Sequence, residues 1–186
     1  PALTETITIE NVVASTDTGQ ELALEKLAMD LAGSDYDPDN FPGLVYRIQD
    51  PKAANLIFRS GKIVCTGATS VDGVHTALNI VCEKLRTLGI DVVDDPTITV
   101  QNIVSGADLD TQLNLNAIAI GLGLENIEYE PEQFPGLVYR LDDPDVVLLL
   151  FGSGKVVITG AKTTDAAETA LEAVATELTD LGLLNA

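Results

Sequence analysis

Apolar residues run along this chain with two periods. ITIENVV (7–13) alternates β-branched and polar residues in the manner of a half-buried strand. Leu22, Leu24, Leu27 and Leu31 then recur roughly at helical spacing, and Gly33 follows as a stop. GLVYRI, ANLIFR and KIVCTG are short, rich in β-branched and aromatic residues, and separated by the turn sequences DPK and SGK. That punctuation predicts three strands, with SGK closing a tight hairpin. VDGVHTALNIVCEKLRTLG sets Val74, Leu78, Val81, Leu85 and Leu88 on one face and ends at Gly89, which predicts a longer second helix.

The whole pattern then repeats. Residues 41–90 recur as residues 134–183 with 26 of 50 positions identical, and ITIENVVAS (7–15) is answered by ITVQNIVSG (98–106). DVVDDP (91–96) joins the copies, so residues 1–93 and 94–186 are expected as two repeats of one unit. Each unit reads strand, helix, three strands, helix. Together they predict eight to ten strands and four helices, and meander connections make the sheet antiparallel, an α+β protein. Helices can cover only one face of such a sheet. Yet both parities of the strands are apolar: Leu56, Phe58 and Val64 on one, Ile57, Ile63 and Cys65 on the other. One parity therefore goes under the helices, and the other leaves an open apolar face, the mark of an interaction surface.

Charge complicates the choice of partner. The chain has 186 residues, 46% of them hydrophobic, with 29 acidic against 10 basic side chains and a formal net charge of −19. Taken alone, this argues against nucleic acid, whose phosphates are usually met by Lys and Arg. The imbalance is uneven, −6 over residues 1–93 and −13 over 94–186. Cys65 and Cys82 fit neither a metal-ligand spacing nor a disulfide framework and are expected as buried free thiols. His75, the one histidine, stands on a predicted helix without a counterpart in the other repeat, and the glycines of SGK and FPG open no phosphate-binding helix. No enzyme site, metal or cofactor is expected. The apolar runs are short and the N-terminal segment lacks a signal pattern, so a soluble intracellular protein is expected.

The four phenylalanines, Phe41, Phe58, Phe134 and Phe151, fall at two equivalent positions of the repeats. Pattern alone leaves them as ordinary core aromatics or as part of the open face. FPGLVYR in both copies, LIFRSGK with LLFGSGK, VCTGA with VITGA, and ENVV with QNIV resemble the repeated motifs of TATA-box-binding proteins, in order and over essentially the entire chain. Few lysines and abundant Asp and Glu point to an archaeal member from a high-salt cytoplasm. The resemblance implies one curved antiparallel sheet, a saddle with four helices on its convex face. It further implies a general transcription factor, nucleoid-associated in the cytoplasm, that binds the minor groove of A·T-rich promoter DNA and recruits transcription factor B and, through it, RNA polymerase. On this resemblance Phe41 with Phe58 and Phe134 with Phe151 wedge into base steps and kink the duplex. Asn11 and Asn102 donate to adenine N3 or thymine O2, with Thr66 and Thr159 beside them. Val13, Leu56 and Val64, with Val104, Leu149 and Val157, make the apolar floor. Arg47, Ser60 and Lys62, with Arg140, Ser153 and Lys155, meet phosphates.

Two features depart from the family. Asn40 and Gln133 precede the FPG motifs where many members carry a basic or apolar residue, and the second helix of the first copy, with Glu83 beside Lys84 and Arg86, lacks a strongly basic face. YEPE (129–132) matches the acidic loop that meets transcription factor B, making Glu130 and Glu132 candidate partner contacts or else a solvated charged turn. The expected charge plan is a weakly basic apolar concave face and an acidic exterior. The rival class is a duplicated α+β module whose open sheet binds a protein or an apolar small ligand; the same face could also self-associate without DNA.

Overall fold

Alternation and turn chemistry set the element order, which the computed structural model describes for residues 7–123 and 125–184. The first copy runs β1 (Thr8–Asp17), α1 (Leu24–Asp30), β2 (Ser34–Asp35), β3 (Leu44–Gln49), β4 (Lys52–Ile57), β5 (Lys62–Ala68) and α2 (Val71–Thr87). The second runs β6 (Thr99–Asp108), α3 (Leu115–Leu122), β7 (Ile127–Glu128), β8 (Leu137–Asp142), β9 (Asp145–Leu150), β10 (Lys155–Ala161) and α4 (Thr164–Asp180). The strands are antiparallel, in the order β2-β3-β4-β5-β1 and, for the second copy, β6-β10-β9-β8-β7. One strand per copy, β2 and β7, is absent from the pattern-based reading. At two residues each they are too short to show alternation.

The chain divides into two compact units: a first of Asn11–Gln101, and a second of Asn102–Ala186 together with Pro1–Glu10. The boundary falls inside β1 and inside β6, so each of these strands contributes residues to both units.

Within each unit one face of the strands carries the core. In the first unit Ile57, Ile63 and Cys65 are fully buried, and α2 packs on β4 and β5 with Val74, Leu78, Val81 and Leu85 pointing inward, the face its spacing predicts. Ser70 caps α2, its Oγ accepting from Gly73 N at 2.9 Å, and Thr163 caps α4 by accepting from Ala166 N at 3.1 Å. The SGK hairpin closes as expected: Phe58 N donates to Lys62 O at 2.9 Å, with Gly61 at φ 97° and Gly154, its repeat mate, at φ 98°. A Cβ at either glycine would also press on a neighbouring backbone carbonyl, so only glycine serves there. Both cysteines are buried free thiols, and burial pushes Cys65 up to about 11 and Cys82 in the same direction. Among the described residues no helix is long and apolar enough to cross a membrane.

The two cores differ on β4 and β9 in a way that costs stability. Asn55 is fully buried on β4; its Nδ2 donates to Tyr46 O at 3.3 Å, but its Oδ1 has no partner. The repeat mate is Leu148, also fully buried. A buried acceptor without a donor costs about 1–3 kcal/mol. Asn55→Leu is therefore expected to stabilise the protein by about 1–2 kcal/mol, after some loss to tighter packing. Denaturant unfolding at molar potassium chloride reads this directly, and a lowered midpoint would contradict it.

Candidate nucleic-acid interface

The parity that the helices do not cover is half-buried and apolar. In the first unit Val45 pairs with Leu56 and Leu56 with Val64 across β3, β4 and β5; in the second, Val138 pairs with Leu149 and Leu149 with Val157. Ala54 and Val147 occupy the next row, paired with Thr66 and Thr159. Val13 and Val104 are half-buried on β1 and β6. Leu56, Val64, Leu149 and Val157 thus lie together within their own units. Val45, Val138, Ala54 and Val147 belong to the same faces and were not singled out from sequence, although the alternation in GLVYR carries the signal.

Asn11 and Thr66 are one device. Asn11 Oδ1 accepts from Gly67 N at 2.7 Å, and its Nδ2 donates to Thr66 Oγ1 at 3.1 Å. Asn102 repeats this with Gly160 N at 2.6 Å and Thr159 Oγ1 at 3.0 Å. A backbone N–H can only donate, so it fixes the oxygen end of each amide against the strand and turns the NH₂ end toward the threonine. One amide hydrogen remains for an outside acceptor. The threonine hydroxyl is oriented by the same contact. The sequence places these residues 55 and 57 positions apart and gives no hint of the bond.

The aromatic pairs meet edge to face, Phe41 with Phe58 at 5.8 Å and 63°, and Phe134 with Phe151 at 5.9 Å and 67°. The glycine of each FPG motif makes room for them. A Cβ on Gly43 would stand 2.7 Å from Phe41 and 3.0 Å from Phe58, and one on Gly136 would stand 2.7 Å from Phe134 and 2.9 Å from Phe151. The sequence shows these glycines only as opening no phosphate-binding helix and gives no sign of this role. Phe134 is 40% exposed, a large price in unfavourable hydration for a ring with no use outside the core. The acidic loop leads straight into it: Glu130 O accepts from both Gln133 N and Phe134 N, while the side chains of Glu130 and Glu132 face solvent.

Arg47, Lys62, Arg140 and Lys155 are all exposed, and Ser60 and Ser153 lie in the hairpin turns with Oγ 3.4 Å from the N–H of Lys62 and Lys155. Carboxylates reach cations in both units: in the first, Arg59 pairs with Glu25 at 2.6 Å, while Arg47 and Lys62 form no ion pair among the described residues. Lys155 Nζ lies 3.1 Å from Glu10 Oε1, and Arg140 lies 3.6 Å from Glu128. Two exposed carboxylates thus lie against the two second-unit cations that the resemblance assigns to phosphate. Among the described residues no cluster of His, Cys, Asp and Glu is arranged to hold a metal ion.

Each unit thus offers an open apolar floor, an amide with one hydrogen to spare, an edge-to-face aromatic pair and nearby cations: elements suited to a repeated DNA-binding protein. The chain matches the family described as "Transcription factor TFIID (or TATA-binding protein, TBP)" over residues 6–88 and 97–181, and it belongs to that family. It is 72% identical over 181 residues to a TATA-box-binding protein of Haloarcula marismortui, covering 97% of each chain. It is 71% identical over 181 residues to TATA-box-binding protein 1 of Haloferax volcanii, covering 97% of this chain and 96% of the relative. The solved TBP of Methanococcus jannaschii shares the fold, with a TM-score of 0.83 and 51% identity over 94% of this chain and 98% of that one. The α+β, duplicated architecture expected from sequence is the TBP fold. The family is one of DNA-binding transcription factors that act on TATA promoter DNA, not of enzymes, and the Haloarcula and Haloferax relatives come from halophilic archaea.

Proposed function

We propose that this protein kinks TATA-box DNA through its minor groove with Phe41, Phe58, Phe134 and Phe151, and then recruits transcription factor B and RNA polymerase at the nucleoid. The observation that carries the reading is the duplicated open face, with its apolar floor and one amide donor per unit. A G·C pair sets an exocyclic amine in the minor groove, and against Leu56, Val64, Leu149 and Val157 that donor is left unpaired. A·T pairs present only acceptors, which the free hydrogens of the Asn11 and Asn102 amides satisfy. The wedges unstack a base step, and flexible T·A steps make that deformation less costly. Arg47, Lys62, Arg140, Lys155 and the hairpin serines position the duplex without reading it. At molar salt, screening to about 3 Å suppresses the repulsion between an acidic protein and DNA and leaves these short-range contacts dominant.

Gel-shift titration of a TATA duplex at molar potassium chloride tests the wedges. Phe41→Ala and Phe151→Ala are each expected to weaken binding roughly tenfold, for the loss of about 1–2 kcal/mol of aromatic contact. Undiminished binding by both variants contradicts intercalation, and failure of the parent protein to bind any duplex favours a protein or apolar small ligand on the same face.

Glu130 and Glu132 project from the loop that anchors Phe134, within reach of a protein that approaches DNA already bound. Glu130→Arg is expected to weaken the complex with transcription factor B and DNA about tenfold, as loss of a charged interface contact does, and to leave binary DNA binding unchanged. Equal loss in both complexes would assign Glu130 to the DNA contact or to the fold.

A further inference from the structure

The four cations placed toward phosphate are not equivalent. In the second unit both are engaged by carboxylates, Lys155 by Glu10 at 3.1 Å and Arg140 by Glu128 at 3.6 Å. Among the described residues neither Arg47 nor Lys62 of the first unit forms an ion pair. The difference is written into the repeat. Gln101 stands where Glu10 does in the other copy, and Ser15 stands where Gly106 does. In the first unit Gln101 Nε2 donates to Ser15 Oγ at 2.9 Å, an uncharged contact that leaves Lys62 alone. In the second unit the missing side chain of Gly106 is what lets Glu10 lie across the strand: a Cβ there would collide with Glu10 Oε1. Two coupled differences, Glu for Gln and Gly for Ser, together bring a carboxylate to Lys155.

We infer that Glu10 and Gly106, with Glu128, are orientation determinants: they mute the phosphate-binding cations of the second unit, so that the first unit takes the end of the site with the more negative minor groove. The inference rests on the reading that these faces bind duplex DNA. Exposed pairs of this kind are weak. They are too weak to abolish binding, yet sufficient to tip a choice between two nearly identical seatings related by the repeat. A narrow A-tract groove concentrates negative potential and draws the less encumbered cations.

The test uses the full chain and a duplex with a self-complementary TATA core, flanked by an A-tract on one side and G·C pairs on the other. A DNA-cleaving reagent is tethered through Asp39→Cys, an exposed loop position two residues before Phe41 in the first unit; the native thiols, Cys65 and Cys82, are buried and do not compete. Cleavage is expected to favour the A-tract flank about threefold or more, the order of effect that one or two partly screened charge contacts produce. Glu10→Gln in that background should bring the two flanks near equality. Gly106→Ser should do the same without altering any charge, by displacing the Glu10 side chain from Lys155. If Glu10→Gln shifts the ratio and Gly106→Ser does not, net charge and not the pairing is responsible, and the inference fails. It fails also if both variants bind with the parent's orientation. Absence of binding by the parent protein instead removes the DNA reading beneath it, which separates the two failures.

Discussion

Everything functional in this protein follows from a sheet whose helices cover one face only. Each unit has one long helix and one short helix for five strands, enough to bury Ile57, Ile63 and Cys65, or Leu148, Leu150 and Ile158, and not enough to cover the opposite parity. A protein that leaves Leu56, Val64, Leu149 and Val157 half-exposed forgoes hydrophobic stabilisation that burial would supply at roughly 25 cal/mol per Å². That apolar area is returned when a ligand covers it. A minor-groove floor of A·T pairs is a suitable cover, being shallow once opened and free of donors that an apolar surface would strand.

The polar parts of the face are arranged so that this exchange is selective. The Gly67 and Gly160 N–H groups hold the oxygen ends of Asn11 and Asn102, and the NH₂ ends meet Thr66 and Thr159 with one hydrogen to spare; on the proposed reading that hydrogen meets a minor-groove acceptor. The amides are oriented in the free protein, which on the proposed reading reduces the entropy lost on binding DNA. The aromatic pairs are likewise assembled in advance, since Gly43 and Gly136 allow the rings to close over the strand.

Much of this was legible in the sequence, and the part that was not shares one physical cause. The repeat, the helix faces and the inward and outward parities of β4 and β5 all follow from local periodicity, which the chain displays openly. The strands β2 and β7 were missed because two residues carry no period. The Asn11–Thr66 bond and the Glu10–Lys155 pair join residues 55 and 145 positions apart, and no local pattern encodes a side-chain meeting that only the folded strands create. The same limit hides the ion pairs: counting acids along the chain does not show that Gly106 allows one of them to reach across a strand to a cation.

The proposed readout sets an apolar floor and two amide donors against the minor groove and is indifferent to the major one. Substituting inosine·cytosine for A·T pairs in the TATA core changes the major-groove pattern while leaving the minor groove without an exocyclic amine. Binding measured at molar potassium chloride should stay within about threefold of the parent duplex, whereas guanine·cytosine at the same positions should cost on the order of tenfold or more per pair. Equal loss for the inosine and guanine duplexes would place the readout in the major groove and contradict the account.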